Sequence, residues 1–111
     1  MAYIGEEIKF AISLTAEGFS MDDDDFDVEV RSNTRSVKGW KNPPAGEESL
    51  DVIIFKETSG TAPGWYVIAD TTTLDVGQMT VIATAYVPDA HANDGVRTLI
   101  AKAALGKLEA P

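Results

Sequence analysis

The chain has 111 residues, of which 44% are hydrophobic and 24% charged, so its length and composition suit one globular domain. Eighteen acidic residues against nine basic ones give a formal net charge of −9, which argues against nucleic acid and an anionic membrane surface as partners. There is no cysteine, which excludes disulfides, thiolate catalysis and thiolate metal sites.

Apolar residues at every second position predict β-strands from the start of the chain onward. Between residues 8 and 15 the even positions, beginning with Ile8 and Phe10, are large and apolar, while the odd positions are polar or small. This alternation is typical of a strand with one face in a core. Six further strands are predicted, at residues 26–31, 36–41, 50–55, 65–69, 79–87 and from 96 to about 108.

The last predicted strand has a competing interpretation. Residues 96–108 contain three alanines and Leu105, all of which favour helices. Gly106 interrupts the run, and Asp94 is the nearest residue before it that could cap a helix. We favour a strand here, and the helix stays open as the alternative.

The predicted strands and the turns between them indicate the fold class. Short strands separated by Gly- and Pro-containing turns are typical of a sandwich or barrel. The corner at residues 74–81 is similar in shape to a corner of immunoglobulin-like domains, although Met79 stands where those domains carry a tyrosine. We predict an all-β protein, an immunoglobulin-like antiparallel β-sandwich of about seven strands, with residues 1–111 forming a single domain.

Three groups of turns and strand ends carry a resemblance to a known kind of protein. They cover residues 8–30, 64–74 and 86–98. Together they resemble small immunoglobulin-like β-sandwich structural proteins of phages and prophages of gut bacteria, of the baseplate or head-fibre attachment type. The resemblance implies a capsid- or tail-associated protein of the virion, made in the host cytoplasm, whose partners are other phage structural proteins or copies of itself. It implies no catalytic residue.

The residues that could carry chemistry do not form a recognisable catalytic pattern. His91, the only histidine, lies in a predicted turn, and no serine has the flanking glycines of a nucleophile elbow. The glycines are scattered singly and form no phosphate-binding loop. We therefore expect a protein that is not an enzyme and that binds no cofactor.

Four consecutive aspartates, residues 22–25, are the most conspicuous local feature. Calcium binding requires several carboxylates to converge on one point, whereas consecutive residues of an extended chain point to opposite sides. A calcium site would need help from Asp89, Asn93 or Asp94. We expect a solvated loop in which one aspartate caps a turn, and we predict no metal site.

Four apolar residues are the candidates for contact with a partner. Trp40 stands next to a pair of prolines, and Phe19 lies in the acidic loop. Ile53 and Phe55 belong to the low-charge stretch at residues 50–55, a candidate edge or face for strand addition. The predicted function is a non-enzymatic virion structural protein. The alternative is an adhesion module that binds a glycan or a cell surface through Trp40 and loop aromatics.

Overall fold

Eight β-strands make up the secondary structure of residues 2–111, the part of the chain that the computed structural model describes. Within that range there is no helix, so the prediction of an all-β protein is confirmed, and the open alternative for residues 96–108 is decided in favour of a strand. Accordingly, these residues include no helix of the length and apolarity needed to cross a membrane. The strands are β1 (Ala2–Tyr3), β2 (Glu7–Ile12), β3 (Asp25–Ser32), β4 (Arg35–Trp40), β5 (Val52–Glu57), β6 (Gly64–Asp70), β7 (Gly77–Pro88) and β8 (Val96–Glu109).

The strands form two sheets. The five-stranded sheet has the order β1-β8-β7-β3-β4, and the three-stranded sheet has the order β2-β6-β5. Neighbouring strands are antiparallel except for β1, which runs parallel to the last residues of β8. Seven of the strands overlap the predicted segments, and the two-residue β1 is an addition to them.

The two sheets share an apolar core because each strand turns alternate side chains to the same side. Phe26 of β3 and Trp65 of β6 meet edge to face across the core, with ring centroids 5.5 Å apart. Fully burying a side chain such as Phe26 stabilises the fold by roughly 1.5–3 kcal/mol, and the half-buried Trp65 ring covers part of it. The buried apolar residues that form the core cluster are Phe26, Val28, Val30, Val37, Val52, Val67, Ala69, Leu74, Met79, Ala83 and Leu108.

The sandwich is closed on the side where β4 and β5 approach each other. At Gly39 of β4, a Cβ atom would overlap the carbonyl oxygen of Val52 and would lie 2.8 Å from the Val52 Cβ. The two sheets can come this close only because residue 39 has no side chain. The edges of β4 and β5 therefore leave no room for another strand between them at this point.

The opposite side of the sandwich, between β2 and β8, is open. Two adjoining cavities of about 380 Å³ and 350 Å³ lie there, and both are lined by Ser13, Leu14, Ala83 and Ala101. Residues 13 and 14 directly follow β2, and Ala101 lies on β8, so the cavities separate the edges of the two sheets. We call this space the open groove.

Thr71 holds the N-terminal segment in place through hydrogen bonds. The buried Thr71 hydroxyl accepts a hydrogen bond from the Gly5 amide at 3.0 Å and donates one to the Glu6 carbonyl at 2.7 Å. These bonds fix the turn between β1 and β2, and Ala2 of β1 pairs with Leu108. As a result, β1 covers only the last residues of the β8 edge.

Candidate functional site

The open groove is lined mainly by small and aliphatic side chains. On the five-stranded sheet its floor includes five alanines of β7 and β8 together with larger aliphatic residues such as Val81 and Leu105. Phe10 and Leu14 come from the three-stranded sheet and the residues after it. Lys102 is the one charged residue of this lining. A trough with such walls suits an apolar polypeptide surface better than a charged small molecule.

Two strand edges border the open groove, and each is paired on one side only. β2 pairs with β6, and β8 pairs with β7 along residues 96–108. Because β1 reaches only Leu108 and Glu109, residues 96–107 of β8 have no second strand within the part of the chain described. In an antiparallel edge strand the backbone groups that face away from the partner are free to bond another strand.

Several β8 side chains are exposed although they are apolar. Ile100 on the outer face of the sheet is 65% exposed, and Val96 is 36% exposed. On the inner face Leu99 is half-buried, while Ala101 and Ala103 are exposed. A long apolar edge of this kind attracts other strands unless charges or a partner protect it.

Unpaired positive charge accompanies this edge. Six of the nine basic side chains form ion pairs. A seventh, Lys41, donates hydrogen bonds to backbone carbonyls. Within residues 2–111 the remaining two, Lys102 and Lys107, have neither an ion pair nor a hydrogen-bond acceptor for the ammonium group. Both lie on β8. The β8 edge therefore carries free positive charge in a protein of net charge −9.

A second candidate site lies on the outer face of the five-stranded sheet. A cavity of about 410 Å³ is lined there by Trp40, Asn42, Tyr86 and Asp94, among others, and we call it the outer cleft. Trp40 is half-buried, and the Lys38 ammonium lies 5.2 Å from the centre of its ring. An aromatic ring next to amide and carboxylate groups is a combination that can bind a polar ligand with an apolar face.

A buried carboxylate lies beside the outer cleft. Asp27 is 1% exposed, although β3 turns its side chain to the outer face of the sheet. The Tyr86 hydroxyl donates to its Oδ2 at 2.5 Å, and the Lys38 ammonium lies 3.7 Å from the same oxygen. Because ionised Tyr86 would lose this hydrogen bond to Asp27, the pKa of Tyr86 is raised to about 12.

The aspartate loop is organised by Lys41. The Lys41 ammonium donates to the carbonyl oxygens of Met21, Asp22 and Asp24 at 2.8–2.9 Å. It also lies 5.4 Å from the centre of the Trp65 ring. A single ammonium group thus gathers the backbone of the loop, and the loop packs against the end of the core.

The aspartate side chains of this loop point to different partners. Asp22 accepts hydrogen bonds from Lys56 and from the Trp65 indole, which lower its pKa. Asp24 caps the turn by accepting from the Ser20 amide, and Asp25 accepts from Asn42. Within residues 2–111 no group of three or more His, Asp or Glu side chains is arranged to hold a metal ion.

The four predicted contact residues lie in three separate places. Ile53 and Phe55 share the outer face of the three-stranded sheet, where Phe55 stacks on Tyr66 with ring centroids 6.1 Å apart. Trp40 lines the outer cleft, on the opposite face of the sandwich. Phe19 lies at one end of the open groove and packs against Phe26. No single surface brings these four residues together.

His91 lies where the sequence predicted it, whereas the β8 edge is a site that the sequence reasoning missed. His91 is exposed in the loop between β7 and β8, where its backbone amide donates to Asp89. The β8 edge was not among the predicted contact residues. A signal for it was present, because residues 95–108 contain three basic residues and no acidic one in an otherwise acidic chain.

Comparison of the chain with family models, with curated proteins and with solved structures finds no match.

Proposed function

We propose that this chain is a non-enzymatic structural protein of a phage or prophage particle, associated with the capsid or the tail. It assembles there with neighbouring structural proteins or with copies of itself. The observation that carries the proposal is the open groove, a trough bordered by two strand edges that are each paired on one side only.

The open groove supports a role in assembly for an energetic reason. Strand edges that stay exposed promote uncontrolled association, so they are usually covered or blocked by charge. This sandwich is closed where Gly39 meets Val52, yet on the other side residues 96–107 have no second strand among residues 2–111. An edge kept open in this way suits a protein whose partner completes its fold.

We further propose that the sandwich has the immunoglobulin-like topology. If β2 to β8 take the places B, C, C′, D, E, F and G, the three-stranded sheet reads B-E-D. The five-stranded sheet then reads G-F-C-C′ after β1, which is the arrangement of the sheets in variable-type immunoglobulin domains. An experimental structure with a different strand order would contradict this part of the proposal.

The assembly role can be tested on particles. Virions induced from a lysogen that encodes this chain would be purified on a density gradient and analysed by mass spectrometry. We expect the chain to sediment with capsid or tail proteins at a constant ratio. If the chain is missing from particles and also remains a monomer at high concentration, the proposal fails.

The outer cleft supports a second candidate function, the binding of a glycan. Sugars stack their apolar faces on aromatic rings and bond their hydroxyls to carboxylates and amides, and Trp40, Asn42 and Asp94 supply these groups together. A glycan array tests the idea, with Trp40→Ala as the variant and Phe55→Ala, on the opposite face, as the matched control. We expect binding to disappear only in Trp40→Ala. An array without signal, or equal loss in both variants, would exclude the glycan function.

A further inference from the structure

We propose that the open groove receives an extended segment of a partner protein in which apolar and acidic residues alternate. This segment would pair with β8 as an additional strand, in line with β1. The inference rests on the proposed assembly function and specifies the chemistry of the partner. It follows from the position of β1, the two faces of β8 and the charge along its edge.

The position of β1 indicates where the added strand would lie. Ala2 pairs with Leu108 and Tyr3 with Glu109 in parallel orientation, so the last part of the β8 edge already holds a strand. Among residues 2–111, residues 96–107 continue the same edge without a second strand, and the register with β7 shifts at Leu105. At roughly 3.3 Å per residue these twelve residues offer about 40 Å of free edge, which is longer than an average strand.

The inner face of β8 determines one half of the partner's pattern. Leu99, Ala101 and Ala103 pair with residues of β7 that point into the core, so they face the open groove. The side chains of Ala101 and Ala103 are small and exposed, so they leave this part of the groove unfilled. Every second residue of an added strand would lie next to them, and apolar side chains at those positions would be buried there.

The outer face of β8 determines which residues of the added strand should alternate with the apolar ones. Lys102 pairs with Ile82, Lys107 pairs with Gln78, and both lysines are exposed and without an ion pair within residues 2–111. Residues of an added strand that face outward would lie beside these ammonium groups. Acidic side chains there would gain charge complementarity.

The same lysines select against a second copy of this edge as the occupant. Pairing β8 with β8 would place ammonium groups of two copies along one ladder without a compensating acid, because residues 95–108 contain none. By contrast, β3 shows that an acidic strand fits this sheet. Its residues 25–30 alternate Asp or Glu with Phe or Val, and Glu29 lies on the outer face in the same row as Ile82 and Lys102.

The experiment uses two end-blocked peptides of ten residues, one with five Val-Glu repeats and one with five Val-Lys repeats. Each is titrated into the isotope-labelled protein, and binding is followed by the NMR signals of the backbone amides. We expect the Val-Glu peptide to bind about tenfold more tightly, which is the range of two favourable surface charge pairs. The shifted amides should be those of residues 96–107 and of the facing β2 edge.

The matched variant carries Lys102→Glu and Lys107→Glu. Both side chains are exposed, so we expect the fold to persist and the preference to turn to the Val-Lys peptide. Equal affinity of the wild-type protein for both peptides, absence of binding, or shifts confined to another face would overturn the inference. These outcomes leave the particle test unaffected. A protein that binds the Val-Glu peptide but is missing from particles and remains a monomer would refute the proposed function and leave the peptide preference standing.

Discussion

The hydroxyl of Tyr86 donates a hydrogen bond of 2.5 Å to the buried carboxylate of Asp27, one strand away on the outer face of the five-stranded sheet. Asp27 is 1% exposed, and a carboxylate removed from water in this way requires hydrogen bonds or a counter-charge. Tyr86 supplies a hydrogen bond, and the Lys38 ammonium, 3.7 Å from the carboxylate, supplies part of the counter-charge.

Replacing Tyr86 by phenylalanine should destabilise the protein. Tyr86→Phe keeps the ring and removes the hydrogen bond to Asp27, so we expect a loss of about 1–3 kcal/mol in the free energy of unfolding. Urea denaturation measures it. Tyr66→Phe is the control, because the Tyr66 hydroxyl bonds an exposed loop carbonyl, that of Ala62. Equal effects of the two substitutions would show that the hydrogen bond to Asp27 contributes no more to stability than the exposed one to Ala62.

The hydrogen bond between Tyr86 and Asp27 predicts that the stability of the protein falls at alkaline pH. The pKa of Tyr86 is raised to about 12, above the ordinary value of 10.0 that it regains on unfolding. The folded state therefore holds this proton more tightly, and the resulting stabilisation is complete below pH 10 and is lost as the pH rises toward 12. Unfolding measured across this range should show a decline that Tyr86→Phe lacks. An ultraviolet titration in which all three tyrosines ionise together would contradict the prediction.

Lys41 should be essential to the order of the aspartate loop. Lys41→Met retains much of the aliphatic stem but leaves the carbonyls of Met21, Asp22 and Asp24 without their shared donor. We expect a loss of about 1–3 kcal/mol and faster amide exchange in the loop. Lys102→Met is the control, because it removes an exposed ammonium that forms no ion pair with any other described residue (2–111). Unchanged exchange in the loop of Lys41→Met would refute the role given to Lys41.

Gly39 should not tolerate a side chain. A Cβ at this position would overlap the carbonyl oxygen of Val52, which is part of the main chain and cannot rotate away. We expect Gly39→Ala to destabilise the fold by about 1–3 kcal/mol or more through overpacking. Thermal unfolding measures the change, with Ser36→Ala on the exposed face of the same strand as the control. A Gly39→Ala protein as stable as the control would mean that β4 and β5 are further apart than described.

The alternation of apolar and polar residues along the chain explains why the all-β architecture was predictable. A strand exposes alternate residues to one face, so the apolar residues of 26–31 and 79–87 already mark the inner face of the five-stranded sheet. The segment at residues 96–108 was ambiguous because its alanines favour a helix in isolation. Pairing with β7 along the whole length of the segment overrides that preference.

The candidate sites were less accessible to prediction because their properties depend on distant neighbours. Residues 50–55 were predicted as a contact edge or face, and the structure adds that Val52 approaches Gly39 on this side while Ile53 and Phe55 lie on the outer face of the three-stranded sheet. In the sequence Asp27 alternates with apolar residues, as an exposed polar residue of a strand does. Its burial depends on neighbouring strands, among them β7, whose Tyr86 lies more than fifty positions later in the chain and donates a hydrogen bond to it.

The amino-acid sequence alone determined that this protein is built of strands, that it is strongly acidic and that its basic residues are sparse and partly gathered near the C-terminal end. The tertiary structure decided which strand edges meet and which stay open, and it decided that Lys102 and Lys107 lie along an open one. The physical reason is that these two kinds of property depend on interactions over different distances along the chain. Side-chain alternation is set by each residue and its nearest neighbours, whereas the order of strands in a sheet is set by packing between segments far apart in the chain.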